Sequence, residues 1–265
     1  MTPDPTRLSS LFSLEGKLAV VTGGSRGIGY KIADGLIDAG CRLIISARKA
    51  EQLDTAAESL SQKGRCEAIQ ADLSSPEGCT GLADAIAART DSLPILVNNA
   101  GASWGEPIDT FPLGGWDKVI NTNTRSVFLL TQALLPQLRA AATPDDPARV
   151  INIGSVDGLR APSMESYSYS ASKAAVHMLT RHLAKRLAPE HVTVNAIAPG
   201  PFDSKMMAFA LDDPDLRAAV AAEVPLGRIG RPDDMAAAVI YLASRAGSYL
   251  TGAVVPVSGG IACAD

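Results

Sequence analysis

Short apolar segments alternate with longer segments of helical period along almost the whole chain. Seven of these segments are apolar on both alternating faces, as expected for strands that helices cover on both sides. They are residues 17–22, 42–46, 68–71, 95–98, 149–153, 192–197 and 253–257. Helical spacing of apolar residues runs through 28–39, 50–63, 76–89, 116–140, 170–187 and 232–246. Repeated strand–helix–strand units predict an α/β fold of Rossmann type, a doubly wound, seven-stranded parallel sheet with helices on both faces.

The chain has 265 residues, and α/β folds of this size commonly form a single unit. No linker, repeat or low-complexity tract divides it, so we expect residues 1–265 to form one domain. Residues 201–225 interrupt the alternation, because they follow a strand but have helical period. Long insertions after the carboxyl end of a strand are where active-site lids tend to lie. We therefore expect a substrate lid around residues 201–225.

The charge and cysteine content exclude several classes of protein. With 24 Lys+Arg against 28 Asp+Glu the formal charge is −4, which gives no general attraction for nucleic acid. Cys41, Cys66, Cys79 and Cys263 form neither a CxxC pair nor a metal-ligand spacing, so we expect reduced thiols, a cytoplasmic location and no metal. No segment approaches the roughly 18 uninterrupted apolar residues of a membrane span.

A glycine-rich turn, TGGSRGIG at residues 22–29, lies directly after the first predicted strand and opens the first long helix. Gly23 would permit the tight turn, Gly27 would let the backbone approach a pyrophosphate, and Gly29 would allow close packing of helix and strand. The helix N-terminus would present free N–H groups to the phosphates. This context predicts a dinucleotide site. Three other residues of the turn are assigned to the same site: Ser25, Arg26 and Ile28.

The end of the second strand indicates which dinucleotide is bound. An NAD site usually has a carboxylate there for the ribose 2′-hydroxyl. This chain instead reads Ser46-Ala47-Arg48, and Arg26 lies within the glycine-rich turn. Two guanidinium groups in place of an acid suit a 2′-phosphate. The sequence therefore predicts NADP(H) as the cofactor.

Tyr169 and Lys173 are four residues apart and share one face of a predicted helix. A tyrosine has an ordinary pKa near ~10, and a neighbouring ammonium favours the phenolate and lowers that pKa. The pair would then transfer protons near neutral pH. By itself, the same spacing also fits a surface pair with no chemistry.

Taken together, the motifs resemble those of the short-chain dehydrogenase/reductase family, and above all its bacterial 3-oxoacyl (β-ketoacyl) reductases, including the rhamnolipid-pathway type. The similarity extends from about residue 14 to residue 260. It rests on TGGSRGIG, on NNAG at residues 98–101, on Asn123, Ser155, Tyr169 with Lys173, and on Pro199 with Gly200.

The resemblance implies a role for each matching residue. Tyr169 would donate the proton, Ser155 would hold the substrate oxygen, Lys173 would bind the nicotinamide ribose, and Asn123 would hold a water of a proton relay. Further cofactor contacts are implied for Asp72, Leu73, Asn99, Ala100, Gly101, Pro199 and Gly200.

Two details of the match leave alternatives. Tyr167 and Asn121 lie two residues before Tyr169 and Asn123, although only Tyr169 has a lysine four residues later. Ser155 precedes Tyr169 by fourteen residues, one more than the commonest family spacing.

The implied activity is NADPH-dependent reduction of a ketone, most closely a 3-oxoacyl thioester of acyl carrier protein or coenzyme A, by a homotetramer. Substrate contacts are expected from Ser155, Trp104, Met206 and Phe209. The segments 144–147 and 189–191 read PDDP and PEH, where carrier-dependent reductases usually have arginines, so coenzyme A or a free ketone remains an alternative. Arg125, Arg139, Arg181 and Arg186 could provide another basic patch for an acidic carrier. Two other functions stay open, an NAD(P)-dependent dehydrogenase of a polyol or steroid and a cofactor-sensing scaffold.

Overall fold

The computed structural model of the chain describes residues 5–204 and 207–263. Its strands form one sheet in the order β3-β2-β1-β4-β5-β6-β7, and every neighbouring pair is parallel. The strands are β1 Leu18–Thr22, β2 Arg42–Ala47, β3 Cys66–Gln70, β4 Ile95–Asn98, β5 Ala148–Ile153, β6 Val192–Pro199 and β7 Val254–Val257. The predicted seven-stranded, doubly wound parallel sheet is confirmed.

Helices connect the strands and cover both faces of the sheet. They are α1 Pro5–Phe12, α2 Gly27–Asp38, α3 Ala50–Ser61, α4 Pro76–Ala87, α5 Leu113–Ile120, α6 Ser126–Ala133, α7 Leu135–Ala141, α8 Tyr167–Leu187, α9 Ala208–Leu211, α10 Pro214–Glu223 and α11 Pro232–Ala243. None of the described helices is long and apolar enough to span a membrane.

Alternation along each strand produces two cores. In β1, Ala19 and Val21 belong to the core under α2, α3 and α11, whereas Leu18 and Val20 belong to the core under α4, α6 and α8. All four side chains are buried. A strand that is apolar on both faces therefore ends up between two helical layers, as the sequence pattern predicts.

The prediction of one continuous helix over residues 116–140 is wrong. A π-helical segment, Asn121–Arg125, separates α5 from α6, and a second break at Leu134 separates α6 from α7. Pro136 explains the second break, because it has no N–H to bond the carbonyl one turn earlier. The π segment holds one extra residue in its turn, a deviation common at functional sites.

The strand order reverses between β1 and β4, which places their carboxyl ends beside a crevice at one edge of the sheet. The loops that follow β1, β4, β5 and β6 all leave at this edge. The glycine-rich turn, the NNAG segment, Ser155 and the Pro199-Gly200 pair all lie at this edge.

Candidate active site

The glycine-rich turn has the conformation that its sequence suggests. Gly23 and Gly27 have φ values of 66° and 56°, in the left-handed region that glycine adopts without strain. Gly29 lies so close to the turn that an added Cβ would be 2.2 Å from the Gly23 carbonyl oxygen. The turn is thus a compact cradle that brings backbone N–H groups to the start of α2, as a bound phosphate requires.

Thr22 connects this turn to the loop after β4. Its buried hydroxyl accepts the N–H groups of Asn99 at 2.9 Å and Ala100 at 3.0 Å, while the Asn99 side chain donates to the carbonyl of Thr22 at 2.8 Å. The glycine-rich motif does not identify this threonine as a functional residue. Its position as the last residue of a buried strand was the available signal.

The residues assigned to the adenosine end lie around the carboxyl ends of β1 to β3. Arg48 follows β2 and is exposed, as is Arg26, whose Nη1 lies 3.5 Å from the Gln52 Oε1. Leu73 is buried beside Asp72, whose carboxylate accepts both the N–H and the hydroxyl of Ser74 at 3.0 and 2.8 Å. Two exposed guanidinium groups near a compact glycine cradle suit a dinucleotide that carries a further phosphate.

The loop after β5 and the start of α8 bring two hydroxyl groups together. Ser155 begins a short 3-10 turn, Val156–Gly158, and its Oγ accepts the Asp157 N–H at 3.1 Å. The same side chain hydrogen-bonds the phenol of Tyr169. The loop between them absorbs the extra residue of spacing.

Lys173 lies one turn further along α8 and is buried, with 4% of its surface exposed. Its Nζ donates to the Ile153 carbonyl at 2.8 Å and lies 5.5 Å from the centroid of the Tyr169 ring. Tyr169 and Lys173 therefore share one face of the helix, beside the end of β5.

The expected lowering of the Tyr169 pKa by this ammonium is absent from the structure. Burial raises the pKa of Tyr169 to about 12, against a smaller opposite effect of the Ser155 hydrogen bond, and Asp157 raises it further. Burial also lowers the pKa of Lys173 to about 8. The phenol is accordingly protonated in this state, because desolvation of the phenolate outweighs the Ser155 hydrogen bond.

Asn123 lies within the π segment, and its side-chain amide makes three hydrogen bonds. The amide accepts the Ala102 N–H at 2.7 Å and donates to the Ala102 carbonyl and to the Ser172 Oγ, both at 2.9 Å. Ser172 in turn donates to the Tyr169 carbonyl at 2.7 Å. Asn123 thus ties the loop after β4 to the helix that carries Tyr169.

The alternative tyrosine lies elsewhere. The Tyr167 hydroxyl donates to Glu165 at 3.3 Å, and its ring packs edge-on against Phe111, with the ring centroids 5.8 Å apart. It faces an exposed acid, whereas Tyr169 faces Ser155.

The NNAG segment divides between the site and the core. Gly101 borders the site, since an added Cβ would lie 3.8 Å from the Lys173 Nζ. Asn98 instead turns into the protein and donates to Thr131 at 3.1 Å and Asn152 at 2.9 Å. At the end of β6, the N–H of Gly200, next to Pro199, bonds the Val257 carbonyl at 3.0 Å.

Only part of the expected substrate wall is described. Trp104 packs so closely on α5 that a Cβ on Gly115 would lie 2.8 Å from its ring, and the Lys118 ammonium lies 5.3 Å from the ring centroid. Met206 lies outside the described residues, as does the side chain of Phe209.

Comparison with known proteins defines the class. Residues 23–262 match the family described as enoyl-(acyl carrier protein) reductase, which is part of the short-chain dehydrogenases/reductases. The chain belongs to the short-chain dehydrogenase/reductase family, as its motifs predict.

Within this family the chain is similar to reductases of 3-oxoacyl groups. It is 52% identical to the rhamnolipids biosynthesis 3-oxoacyl-[acyl-carrier-protein] reductase of Pseudomonas aeruginosa, over 94% of this chain and 97% of that protein. The structure of the Pseudomonas aeruginosa RhlG/NADP active-site complex superimposes with a TM-score of 0.93 at 51% identity, over 96% of this chain and 99% of that one. The 2-dehydro-3-deoxy-D-gluconate 5-dehydrogenase of Escherichia coli is 36% identical, over 95% of this chain and 97% of that protein. The predictions of a reductase and of NADP(H) as its cofactor are confirmed.

Proposed function

We propose that this NADP(H)-dependent ketoreductase reduces the 3-oxo group of an acyl thioester to the 3-hydroxyacyl product. The observation that carries the proposal is the hydrogen-bonded pair of Ser155 and Tyr169 beside the buried Lys173, at the crevice edge of the sheet. The name of the relative from Pseudomonas aeruginosa supports the choice of a 3-oxoacyl substrate.

The proposed mechanism assigns proton transfer to this chain. When bound, the reduced nicotinamide supplies the hydride. Ser155 orients the carbonyl oxygen, and Tyr169 protonates that oxygen as it becomes an alkoxide, which is a stronger base than a phenolate. Its raised pKa keeps the phenol protonated until then.

Other residues support this pair. Lys173 would bind the ribose, and Asn123 would hold the loop after β4 in register with α8. The cradle around Gly23 and Gly29 would bind the diphosphate, with Arg48 and Arg26 on the 2′-phosphate. The other predicted cofactor contacts are proposed for the same site: Ser25, Gly27, Ile28, Asp72, Leu73, Asn99, Ala100, Gly101, Pro199 and Gly200.

Residues 201–225 are proposed as the substrate lid of a single domain. Near the start of this segment, the Asp203 carboxylate binds Arg217 of α10 through two hydrogen bonds of 2.7 and 2.8 Å, and the Asp203 carbonyl accepts Lys31 of α2 at 2.9 Å. These contacts attach the segment next to the glycine-rich turn, where closing over substrate would also cover the cofactor.

We propose a homotetramer in the cytoplasm. Phe128 on α6 and Met178 on α8 are exposed by 41% and 60%, and large exposed apolar side chains on these two helices support association through them. All four cysteines are unpaired, which suits a reducing compartment. Light scattering measures the oligomeric state directly, and a monomer would contradict the proposal.

The carrier of the acyl group is open between acyl carrier protein and coenzyme A. Arg139 and Arg186, two basic residues available for an acidic carrier, both bind Glu190 at 2.6 Å. Asp146 of the loop before β5 is itself paired with Lys17 at 2.6 Å. The pairing with Glu190 weakens the attraction of these two arginines for an acidic carrier.

The test is NADPH oxidation with 3-oxoacyl thioesters on coenzyme A and on acyl carrier protein, followed by Tyr169→Phe. We expect the variant to lose at least about a hundredfold in kcat, because general acid catalysis contributes that much, and to bind NADPH with an unchanged Kd. Tyr167→Phe is the matched control and should retain full turnover. Normal turnover of Tyr169→Phe would contradict the role of the phenol, and oxidation of a polyol without any thioester reduction would contradict the substrate class.

A further inference from the structure

The side chain of Lys173 carries its ammonium group into a buried position. A charged amine away from water is unfavourable unless an opposite charge or several acceptors compensate it. Lys173 donates a hydrogen bond to the neutral carbonyl of Ile153, and no carboxylate in the described part of the chain forms an ion pair with it. Any compensating charge from the described residues therefore acts on Lys173 from beyond ion-pair distance.

Asp157 is the acid whose charge acts on Lys173 from this longer distance. It lies in the 3-10 turn that begins at Ser155, and its N–H donates to the Ser155 hydroxyl. This turn packs directly on the backbone of α8, since a Cβ on Gly158 would lie 2.6 Å from the carbonyl carbon of Lys173. The Asp157 side chain is partly buried, so its charge is incompletely screened by water.

The groups that face this carboxylate come from two elements. Arg160 follows the turn, and α8 contributes Tyr169 and Lys173. Burial raises the pKa of Asp157, and the two cations, Arg160 and Lys173, act against this by attracting its carboxylate. His177, the next residue on the same face of α8, packs against Gly154 and Gly158 and is neutral at working pH, because burial lowers its pKa to about 4.

The Asp157 carboxylate disfavours the loss of a proton from Lys173 and from Tyr169. Burial lowers the pKa of Lys173, and Asp157 is the group that raises it; Asp157 also raises the pKa of Tyr169. A protonated amine and a protonated phenol are the forms in which ketone reduction starts.

We propose that Asp157 is a positioning residue of the reductase, whose carboxylate is the counter-charge of the Lys173 ammonium and keeps Lys173 and Tyr169 protonated before the carbonyl is reduced. The inference rests on the proposed function for the role of Lys173. The turn after β5 would then both position Ser155 and supply the negative charge near Lys173.

The test uses Asp157→Asn, which keeps the shape of the side chain and the backbone N–H to Ser155. NADPH Kd by fluorescence and kcat/KM for thioester reduction are measured across the alkaline range. We expect the alkaline midpoint of both profiles to fall by about one pH unit, a tenfold change in the protonation equilibrium. Asp157→Glu should restore most of the shift, and Glu165→Gln, an exposed acid beside Tyr167, should leave both midpoints unchanged.

The outcomes separate this inference from the proposed function. An equal loss of rate at every pH, with unmoved midpoints, would show that Asp157 only shapes the turn and would overturn the inference. A shifted NADPH midpoint in an enzyme that reduces no thioester would support the inference while contradicting the proposed substrate. If Asp157→Asn does not fold, Asp157→Ser removes the same charge and must give the same shift.

Discussion

Thr22→Val removes one hydroxyl at the junction of the two cofactor loops and keeps the shape of the side chain. In the wild type this hydroxyl accepts the N–H groups of Asn99 and Ala100 at 2.9 and 3.0 Å. Valine would leave both donors without their acceptor, and each unsatisfied buried donor costs about 1–3 kcal/mol. Since both amides are only partly buried, we take the low end, a loss of about 2 kcal/mol in the free energy of unfolding.

Urea unfolding at fixed protein concentration measures this loss. With an m-value of roughly 3 kcal/mol/M, the midpoint should fall by about 0.7 M while m stays constant. The NADPH Kd should rise as well, because the loosened loop carries Asn99. Thr22→Ser is the matched control: it keeps the hydroxyl and loses one methyl, worth about 0.8 kcal/mol. If Thr22→Val is no more destabilising than Thr22→Ser, the hydroxyl does not hold the two loops together.

Three further predictions use other parts of the molecule. Arg48→Ala should raise the Kd of NADPH much more than that of NADH, and equal changes in calorimetric titrations would exclude recognition of the 2′-phosphate. Gly29→Ala should abolish NADPH binding, because its Cβ would lie 2.2 Å from a carbonyl of the glycine-rich turn, whereas Gly81→Ala has open space and should stabilise α4 by up to about 1 kcal/mol in thermal unfolding. A side-chain hydrogen bond from Arg228 lowers the pKa of Asp234 to about 2, so its contribution to stability is present above pH 4 and is lost as the pH falls towards 2. Asp234→Asn should flatten that part of the pH–stability curve, and an unchanged slope would count against the ion pair.

The parts of the fold that sequence predicts are those in which local pattern and tertiary structure agree. The strands are apolar on both faces because helices cover both, so their positions follow from composition and period alone. Tyr169 and Lys173 are neighbours on α8 simply because they are four residues apart on a helix. The glycine-rich turn is predicted because left-handed φ values and a 2.2 Å approach leave few residue types possible.

What sequence could not predict depends on partners far along the chain. The hydrogen bond from the Lys173 ammonium to the Ile153 carbonyl joins α8 to β5, so no local pattern in the sequence predicts it. Desolvation of the phenol likewise arises from packing that no local pattern contains. The ion pair of Arg139 with Glu190 joins residues that are fifty-one apart, so the sequence does not predict it either. The break at Asn121–Arg125 was missed because apolar spacing continues on both sides of it.

The π-helical segment has a consequence for changes in chain length. One additional residue in a helical turn advances every later side chain by about 100° around the axis. Here that offset lets α5 and the π segment pack on α8 while α6 packs on α4. Deleting a single residue between Asn121 and Arg125 would restore a regular turn, but it would rotate the apolar stripe of α6 out of phase with the sheet. Apart from Asn123, this stretch should therefore tolerate exchanges of residue type far better than any shortening by one.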